Sequence, residues 1–219
     1  MQTPRIKICC ISSPEEAQLA ISCGASALGL VSEMPSGPGV ISEKLIAEIA
    51  AVVPPGVSSF LLTSKQNVDE IIIQQSVCRT NTIQICDRIT SGTYKDLKDA
   101  LPGIKIVQVI HVTGEESIDE AVKVSESVDT ILLDSGNQNL AVKELGGTGR
   151  KHDWSISRKI RESISVPLFL AGGLNPENVR EAINIVKPFG VDICSGVRTN
   201  NKLDEEKLRL FMKQVLGTD

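Results

Sequence analysis

Eight short apolar runs recur along the chain, and each is followed by a segment in which apolar residues return with helical spacing. The runs are rich in β-branched residues and their apolar content is near-continuous, which is typical of parallel strands buried on both faces. They occupy residues 5–11, 25–31, 57–63, 82–86, 105–112, 130–134, 166–171 and 190–194. The pattern therefore predicts an α/β protein built from eight strand–helix units.

The segments between the runs carry helix start signals. Ser13-Pro14 and Asn175-Pro176 each place a proline at the first helical position, with acidic residues directly behind it. Eight units in 219 residues leave about 27 residues for each strand and its crossover helix. We therefore predict a single domain over residues 1–219, a closed (β/α)₈ TIM barrel. The alternative is an open doubly wound sheet. Its dinucleotide-binding form is disfavoured because no Gly-x-Gly-x-x-Gly motif follows the first strand.

Composition and charge argue against several classes of partner. The net charge is −4 and aromatic residues make up 3% of the chain, so there is neither a basic field for nucleic acid nor a stacking surface for bases. No apolar run approaches the ~20 residues of a membrane span, and no signal-peptide core follows the N-terminus. The six cysteines form no CxxC pair, which favours reduced thiols. We expect a cytoplasmic protein without nucleic-acid or membrane partners.

Two reactive side chains lie at the ends of predicted strands. Cys9 lies near the end of the first strand and is either a base or nucleophile or simply a small buried residue. Because side chains alternate along a strand, Cys10 is expected to face away from the barrel mouth. Asp134 ends the sixth strand and is either an acid whose pKa is raised by its surroundings or an exposed cap of the following loop.

Small-residue turns follow the seventh and eighth strands, at Gly172-Gly173 and Ser195-Gly196. The loops at these two places often build a phosphate site in barrels, where backbone N–H groups approach the anion closely. Two ordinary tight turns are the alternative, but their occurrence in both units favours phosphate. Asp192 lies on the eighth strand between them. Neither histidine has metal-ligand spacing, so we predict no metal.

Taken together, these residues resemble the phosphoribosylanthranilate isomerase family of tryptophan biosynthesis. The similarity runs over nearly the whole chain and rests on five motifs in matching order. They are KIC at residues 7–9, LLDS at 132–135, GGTG at 146–149 followed by DW at 153–154, LAGGLNPENV at 170–179, and VD at 191–192 followed by SGV at 195–197.

The resemblance implies an Amadori rearrangement, in which an N-linked phosphoribosyl aminal opens to an enolamine and becomes a 1-deoxyribulose. By this resemblance Cys9 is the base, Asp134 is the acid and Asp192 takes part in substrate handling. The substrate phosphate is expected on the backbone of Gly172, Gly173, Ser195 and Gly196. The family needs no cofactor, and both monomers and homodimers suit the fold.

The chain departs from the family pattern around the aromatic part of the substrate. Cys10 stands where the family has glycine, and residues 36–39 lack the family's arginine for the anthranilate carboxylate. Arg198 stands where the family has an acid, and we hypothesise that it either supplies a replacement contact for a substrate anion or marks a different acidic substrate. A solvent-facing arginine is the alternative. Two alternatives stay open: an isomerase of another phosphorylated sugar derivative, or a catalytically silent phosphosugar-binding barrel.

Overall fold

The computed structural model describes residues 3–147 and 149–217. Eight parallel strands close into a barrel in chain order, with β1 paired to both β2 and β8. The strands are β1 (Arg5–Ile8), β2 (Ala27–Val31), β3 (Ser58–Thr63), β4 (Thr82–Ile85), β5 (Lys105–His111), β6 (Thr130–Asp134), β7 (Leu168–Leu170) and β8 (Gly190–Ile193). The predicted closed barrel is confirmed, and the open sheet is wrong. Thr148, in the predicted GGTG motif, lies outside the described residues.

Helices connect the strands and cover the outside of the barrel. They are α1 (Pro14–Ser22), α2 (Glu43–Val52), α3 (Val68–Cys78), α4 (Tyr94–Ala100), α5 (Glu116–Ser125), α6 (Trp154–Ser163), α7 (Val179–Val186) and α8 (Glu205–Leu216). After β8 the chain adds a short 3₁₀ helix (Ser195–Val197) and a hairpin of β9 (Arg198–Thr199) and β10 (Lys202–Leu203). No helix in the described part of the chain is both long and apolar enough to cross a bilayer.

The helix start signals work as expected at α1 and less directly at α7. The Ser13 hydroxyl accepts a hydrogen bond from the Glu16 amide, and Pro14 is the first residue of α1. Near α7, the Asn175 side chain accepts from the Glu177 and Asn178 amides, so this sequence forms a turn and the helix begins at Val179.

Alternation along the strands divides the core into two layers. On β1, Ile6 and Ile8 join the large apolar cluster between the sheet and the helices. Cys9, immediately after this strand, joins a smaller cluster inside the barrel with Phe60 and Phe169. The parity of Lys7 places it on the inner side as well. The barrel centre therefore holds the full length of a lysine side chain among mostly apolar ones.

The first strand is shorter than the sequence predicts, and this corrects the placement of Cys10. The ladder of β1 ends at Ile8, and Cys10 adopts a left-handed backbone conformation with φ 62°. Strand alternation no longer applies beyond the ladder. Both Cys9 and Cys10 line the cavity at the barrel mouth, so the prediction that Cys10 faces away from it is wrong.

Candidate active site

A cavity that opens to solvent lies at the carboxyl ends of the strands. Three of the acid–base candidates from the sequence, Cys9, Asp134 and Asp192, line it together. Cys9 directly follows β1, Asp134 ends β6 and Asp192 lies on β8, and parallel closure brings the carboxyl ends of these strands to one end of the barrel. The structure therefore brings side chains that are far apart in sequence into one site.

Cys9 is held by its backbone at the floor of the cavity. Its amide donates to the Ile193 carbonyl at 2.8 Å, and the residue is 7% exposed. Gly29 on β2 makes room for it: a methyl group added there would lie 2.8 Å from the Cys9 Sγ and 3.1 Å from the Lys7 Nζ. The position of the Cys9 thiol therefore depends on Gly29, a residue that the sequence did not indicate as part of the site.

Asp134 closes the sixth strand as a half-buried carboxyl group facing the cavity. Its Oδ1 accepts a hydrogen bond from the Ser135 amide at 2.6 Å. Burial raises the pKa of Asp134, although the Ser135 amide and the neighbouring His111 oppose this shift. A carboxyl group whose pKa is raised is suited to hold a proton and donate it near neutral pH. The environment favours the acid interpretation over an exposed loop cap.

Asp192 is paired with a residue that the sequence analysis did not propose for the site. Lys7 is fully buried, and its Nζ lies 2.7 Å from the Asp192 Oδ2. Burial raises the pKa of Asp192 and Lys7 counteracts this shift, while Asp192 raises the pKa of Lys7 against the effect of burial. Lys7 begins the KIC motif, so its position was visible, but a lysine in a short strand is ordinarily exposed.

The predicted phosphate loops lie on one side of the same cavity. Gly172 and Gly173 have φ values of 83° and 63°, conformations that glycine adopts without strain, and both line the cavity with Ser195. Gly196 does not line it. A methyl group at Gly196 would lie 2.3 Å from the Leu174 carbonyl oxygen, so this glycine allows the two loops to pack together.

His152 supports the loop after β7 from behind. Its Nε2 lies 2.7 Å from the Ser157 hydroxyl, and a methyl group added at Gly172 would lie 3.0 Å from its Nδ1. Burial lowers the pKa of His152 to about 4. The imidazole is therefore neutral at physiological pH and adds no fixed charge beside the phosphate loops.

Three further thiols surround Cys9. Cys10 and Cys194 approach each other with 2.6 Å between their sulfur atoms, and Cys86 lies on the opposite side after β4. The Cys194 contact raises the pKa of Cys10, and the Cys10 contact lowers the pKa of Cys194. Burial raises the pKa of Cys86 to about 12, so this thiol is protonated at neutral pH.

We expect Cys10→Gly to change the free energy of unfolding by no more than about 1 kcal/mol. A left-handed conformation costs an L-residue about 1–2 kcal/mol, and glycine removes this cost. The lost packing of the buried thiol and the greater freedom of glycine in the unfolded chain offset that gain. Urea denaturation measures the difference. Cys10→Ala keeps the strained backbone and serves as the control; if Cys10→Gly were much less stable than Cys10→Ala, the strain argument would fail.

Arg198 lies outside the cavity lining and binds the protein itself. Its guanidinium donates to both carboxylate oxygens of Glu16, at 3.0 and 3.1 Å, and to the carbonyls of Cys9, Cys10 and Asn201. Its side chain is 8% exposed. This geometry favours a structural ion pair that fastens the end of β1, and it does not support the predicted contact with a substrate anion. The sequence showed an arginine at the rim but not its partner on α1.

Replacing Arg198 by methionine should lower the free energy of unfolding by about 3 kcal/mol, because it leaves the Glu16 carboxylate without its counter-ion. Burial opposes ionisation of Glu16, but Arg198 and the amides of Leu203 and Ser12 outweigh it and lower the pKa of Glu16. The stabilisation is therefore present above the ordinary pKa of about 4.5 and is lost as pH falls through the lowered value. Denaturation at pH 7 and pH 3 measures both effects.

The matched control is the exposed ion pair between Arg209 and Glu205 on α8, whose side chains are 61% and 54% exposed. Arg209→Met should cost less than about 1 kcal/mol, as is usual for surface pairs. Equal losses for the two variants, or a loss for Arg198→Met that does not shrink in acid, would contradict the structural interpretation.

The loops after β2 and β6 cover the outer part of the cavity. The Ser36 hydroxyl donates to the Lys143 carbonyl at 2.7 Å, and the Lys143 amine binds the buried Asp87 at 2.5 Å. An arginine cannot simply be restored at Gly39, where φ is 81° and a Cβ would lie 2.5 Å from the Cys10 Cβ. Among the described residues that line the cavity, none is lysine or arginine.

Residues 3–147 and 149–217 contain no group of three or more histidine, cysteine or acidic side chains arranged to hold a metal ion. The cavity instead combines an acid with a raised pKa, a thiol, a second carboxylate and small-residue loops. Such a set is suited to move protons on a small anionic molecule.

Comparisons with known proteins agree with this geometry. The family described as N-(5'phosphoribosyl)anthranilate (PRA) isomerase matches residues 6–214. N-(5'-phosphoribosyl)anthranilate isomerase 2 of Methanosarcina mazei is 40% identical over 204 residues, which cover 92% of this chain and 89% of that protein.

Solved structures give the same result. The crystal structure of phosphoribosyl anthranilate isomerase from Thermotoga maritima is 30% identical, with a TM-score of 0.82 over 98% of this chain and 99% of that one. A phosphoribosyl anthranilate isomerase in complex with reduced 1-(o-carboxyphenylamino)-1-deoxyribulose 5-phosphate is 29% identical, with a TM-score of 0.79 and the same coverage.

Proposed function

This chain belongs to the phosphoribosylanthranilate isomerase family, and from that premise we propose how its own residues carry out the reaction. The reaction converts N-(5-phosphoribosyl)anthranilate to the carboxyphenylamino-deoxyribulose phosphate. The observation that carries the proposal is the meeting of Cys9, Asp134 and Asp192 in one cavity beside small-residue loops. The site residues, a small phosphorylated substrate, a cytoplasmic location and a monomer or homodimer are parts of the same proposal.

The chemistry requires one proton donor and one proton acceptor on the two faces of the opened sugar. Asp134 donates its proton to the ribose ring oxygen as the bond from that oxygen to C1′ breaks. Cys9, as thiolate, then takes the proton from C2′, and the electrons of that bond form the enolamine. Protonation at C1′ and loss of the enol proton give the ketone. The raised pKa of Asp134 supports its role as the donor.

The phosphate of the substrate is placed against Gly172, Gly173 and Ser195. All three line the cavity, and Gly172 and Gly173 do so in left-handed backbone conformations that a side chain would strain. A Cβ at Gly173 would lie 2.7 Å from the Arg150 carbonyl group. Backbone amides bind an anion without a lysine or arginine. Gly196 contributes by letting the two loops pack, and Arg198 by holding the end of β1.

We expect Gly173→Ala to raise KM for phosphoribosylanthranilate by at least ~10-fold, because the added methyl group displaces the backbone that holds the phosphate. Inorganic phosphate should inhibit the wild-type enzyme competitively and Gly173→Ala more weakly. Gly103→Ala is the control, since it has a similarly left-handed glycine, with φ 90°, in open space. If Gly103→Ala and Gly173→Ala behaved alike, the phosphate would bind elsewhere.

A turnover assay with freshly prepared phosphoribosylanthranilate tests the proposed activity. Formation of the deoxyribulose product at a rate that depends on Cys9 supports it. Tight binding of phosphosugars without turnover would instead indicate a silent binding barrel. An isomerase of another phosphoribosyl amine is the second candidate, favoured by the absence of lysine and arginine from the described cavity lining. Turnover of a phosphoribosyl amine without a carboxylate, at a higher kcat/KM, would select it.

A further inference from the structure

We propose that Lys7 is a positioning residue for the isomerisation: it holds Asp192 ionised and in a fixed orientation, so that one carboxylate oxygen is free to accept a hydrogen bond from a ribose hydroxyl of the substrate. This inference rests on the proposed function for the identity of the ligand. The relation between Lys7 and Asp192 itself rests on geometry alone.

Lys7 is among the largest of the fully buried side chains. Its Nζ lies 2.7 Å from the Asp192 Oδ2 and 5.3 Å from the centre of the Phe60 ring, and Lys7 and Asp192 are register partners on β1 and β8. A buried ion pair is a poor means of stabilising a fold, because apolar residues of similar size pack there at no electrostatic cost. A pair at the floor of an active-site cavity therefore calls for a functional explanation.

The two oxygens of Asp192 have different surroundings. Oδ2 accepts the hydrogen bond from Lys7, whereas Oδ1 is buried and has no hydrogen-bond partner in the described part of the chain. The residue lines the cavity and is 6% exposed. A buried carboxylate oxygen without a partner is unfavourable until a donor arrives. A hydroxyl group of a bound sugar is such a donor.

The charge of Asp192 depends on Lys7 because, within residues 3–147 and 149–217, Lys7 is the cation that acts on it. The titratable groups that face it are Cys9 after β1, Cys86 after β4, Asp134 on β6 and Cys194 after β8. All four are neutral or negative. Burial raises the pKa of Asp192, and Lys7 opposes this. Without Lys7 the pKa of the Asp192 carboxyl group would rise further, because burial would act unopposed.

The test combines Lys7→Met, Asp192→Asn and the double variant Lys7→Met/Asp192→Asn. Lys7→Met should lower kcat/KM at pH 7 by at least ~10-fold, since loss of the cation raises the pKa of Asp192 and removes the partner that orients it, and should move the acidic limb of the pH profile to higher pH. In the Asp192→Asn background, Lys7→Met should change kcat/KM less than ~3-fold, because Lys7 acts through Asp192. An equal loss in both backgrounds, with no movement of the acidic limb, would overturn the proposal.

Two features keep the test decisive. Lys7→Met alone leaves a lone buried charge and is the variant most prone to misfold, whereas the double variant removes both charges. Comparing the double variant with Asp192→Asn answers the question even if Lys7→Met does not fold. Circular dichroism and the thermal midpoint establish which variants are folded.

An infrared pH titration of the carboxyl groups gives a readout that does not require turnover. The signal of protonated Asp192, identified by its loss in Asp192→Asn, should appear at higher pH in Lys7→Met than in the wild type. If Lys7→Met does not fold, Lys7→Gln replaces it in this measurement. No such shift in a folded variant would overturn the proposal. If the shift occurs but the wild type does not turn over phosphoribosylanthranilate, the proposed function fails and the charge relation stands.

Discussion

Cys9→Ser and Asp134→Asn should each lower kcat by at least ~10²-fold, with a smaller change in KM. Each substitution keeps the size of the side chain and removes its ability to exchange a proton at neutral pH. The two groups handle different protons in successive steps, so neither replaces the other. Steady-state kinetics with phosphoribosylanthranilate measure the effect, and circular dichroism establishes that the barrel is intact.

Cys10→Gly is the control for this pair, because it removes a neighbouring thiol that lines the same cavity and has no assigned proton transfer. It should keep kcat within about threefold of the wild type, well below the effect expected for a positioned acid or base. Full turnover by Cys9→Ser would mean that another group removes the C2′ proton. Full turnover by Asp134→Asn would exclude Asp134 as the acid.

Gly29→Ala should lower kcat/KM by at least ~10-fold and the free energy of unfolding by about 1–3 kcal/mol. The added methyl group would lie 2.8 Å from the Cys9 Sγ, 3.1 Å from the Cys9 Cα and 3.1 Å from the Lys7 Nζ. Contacts this short force the thiol or the strand to move. Kinetics and urea denaturation on the same preparation separate the displacement of the base from the loss of stability.

The matched control is Gly114→Ala, where the nearest atoms to the added methyl group belong to the carboxylate end of Glu116. An exposed flexible side chain moves aside at little cost, so both activity and stability should remain near the wild-type values. If Gly29→Ala matched Gly114→Ala in both measurements, the close packing of β2 against Cys9 would matter neither for activity nor for stability.

The barrel follows from the order and spacing of apolar runs, because a strand covered on both faces needs an unbroken apolar sequence. The exact strand ends do not follow from them. The run at residues 5–11 stays apolar from Ile8 to Ile11, yet the ladder ends at Ile8. Hydrogen bonding to neighbouring strands, which depends on register, decides where the ladder stops. This one difference reverses the predicted orientation of Cys10.

The candidate site, like the fold, was predicted only in part from the sequence. The sequence indicated Cys9, Asp134 and the small-residue turns because their chemistry is visible in the residues themselves. It did not indicate Lys7 as part of the site, and it placed Arg198 toward the substrate. Both cations were visible as residues, but their partners are 185 and 182 positions away in the chain. Only the closure of β1 against β8 and the packing of α1 reveal those partners.

The sequence by itself determined the eight-unit barrel, the strands that carry the acid–base groups and the loops suited to phosphate, since periodicity, turn chemistry and motif order are local properties. The tertiary structure alone decided which groups are charged and which are exposed to the cavity. A pKa and an ion pair depend on burial and on neighbours contributed by distant segments. For that reason Lys7 belongs to the floor of the site, and Arg198 belongs to the scaffold.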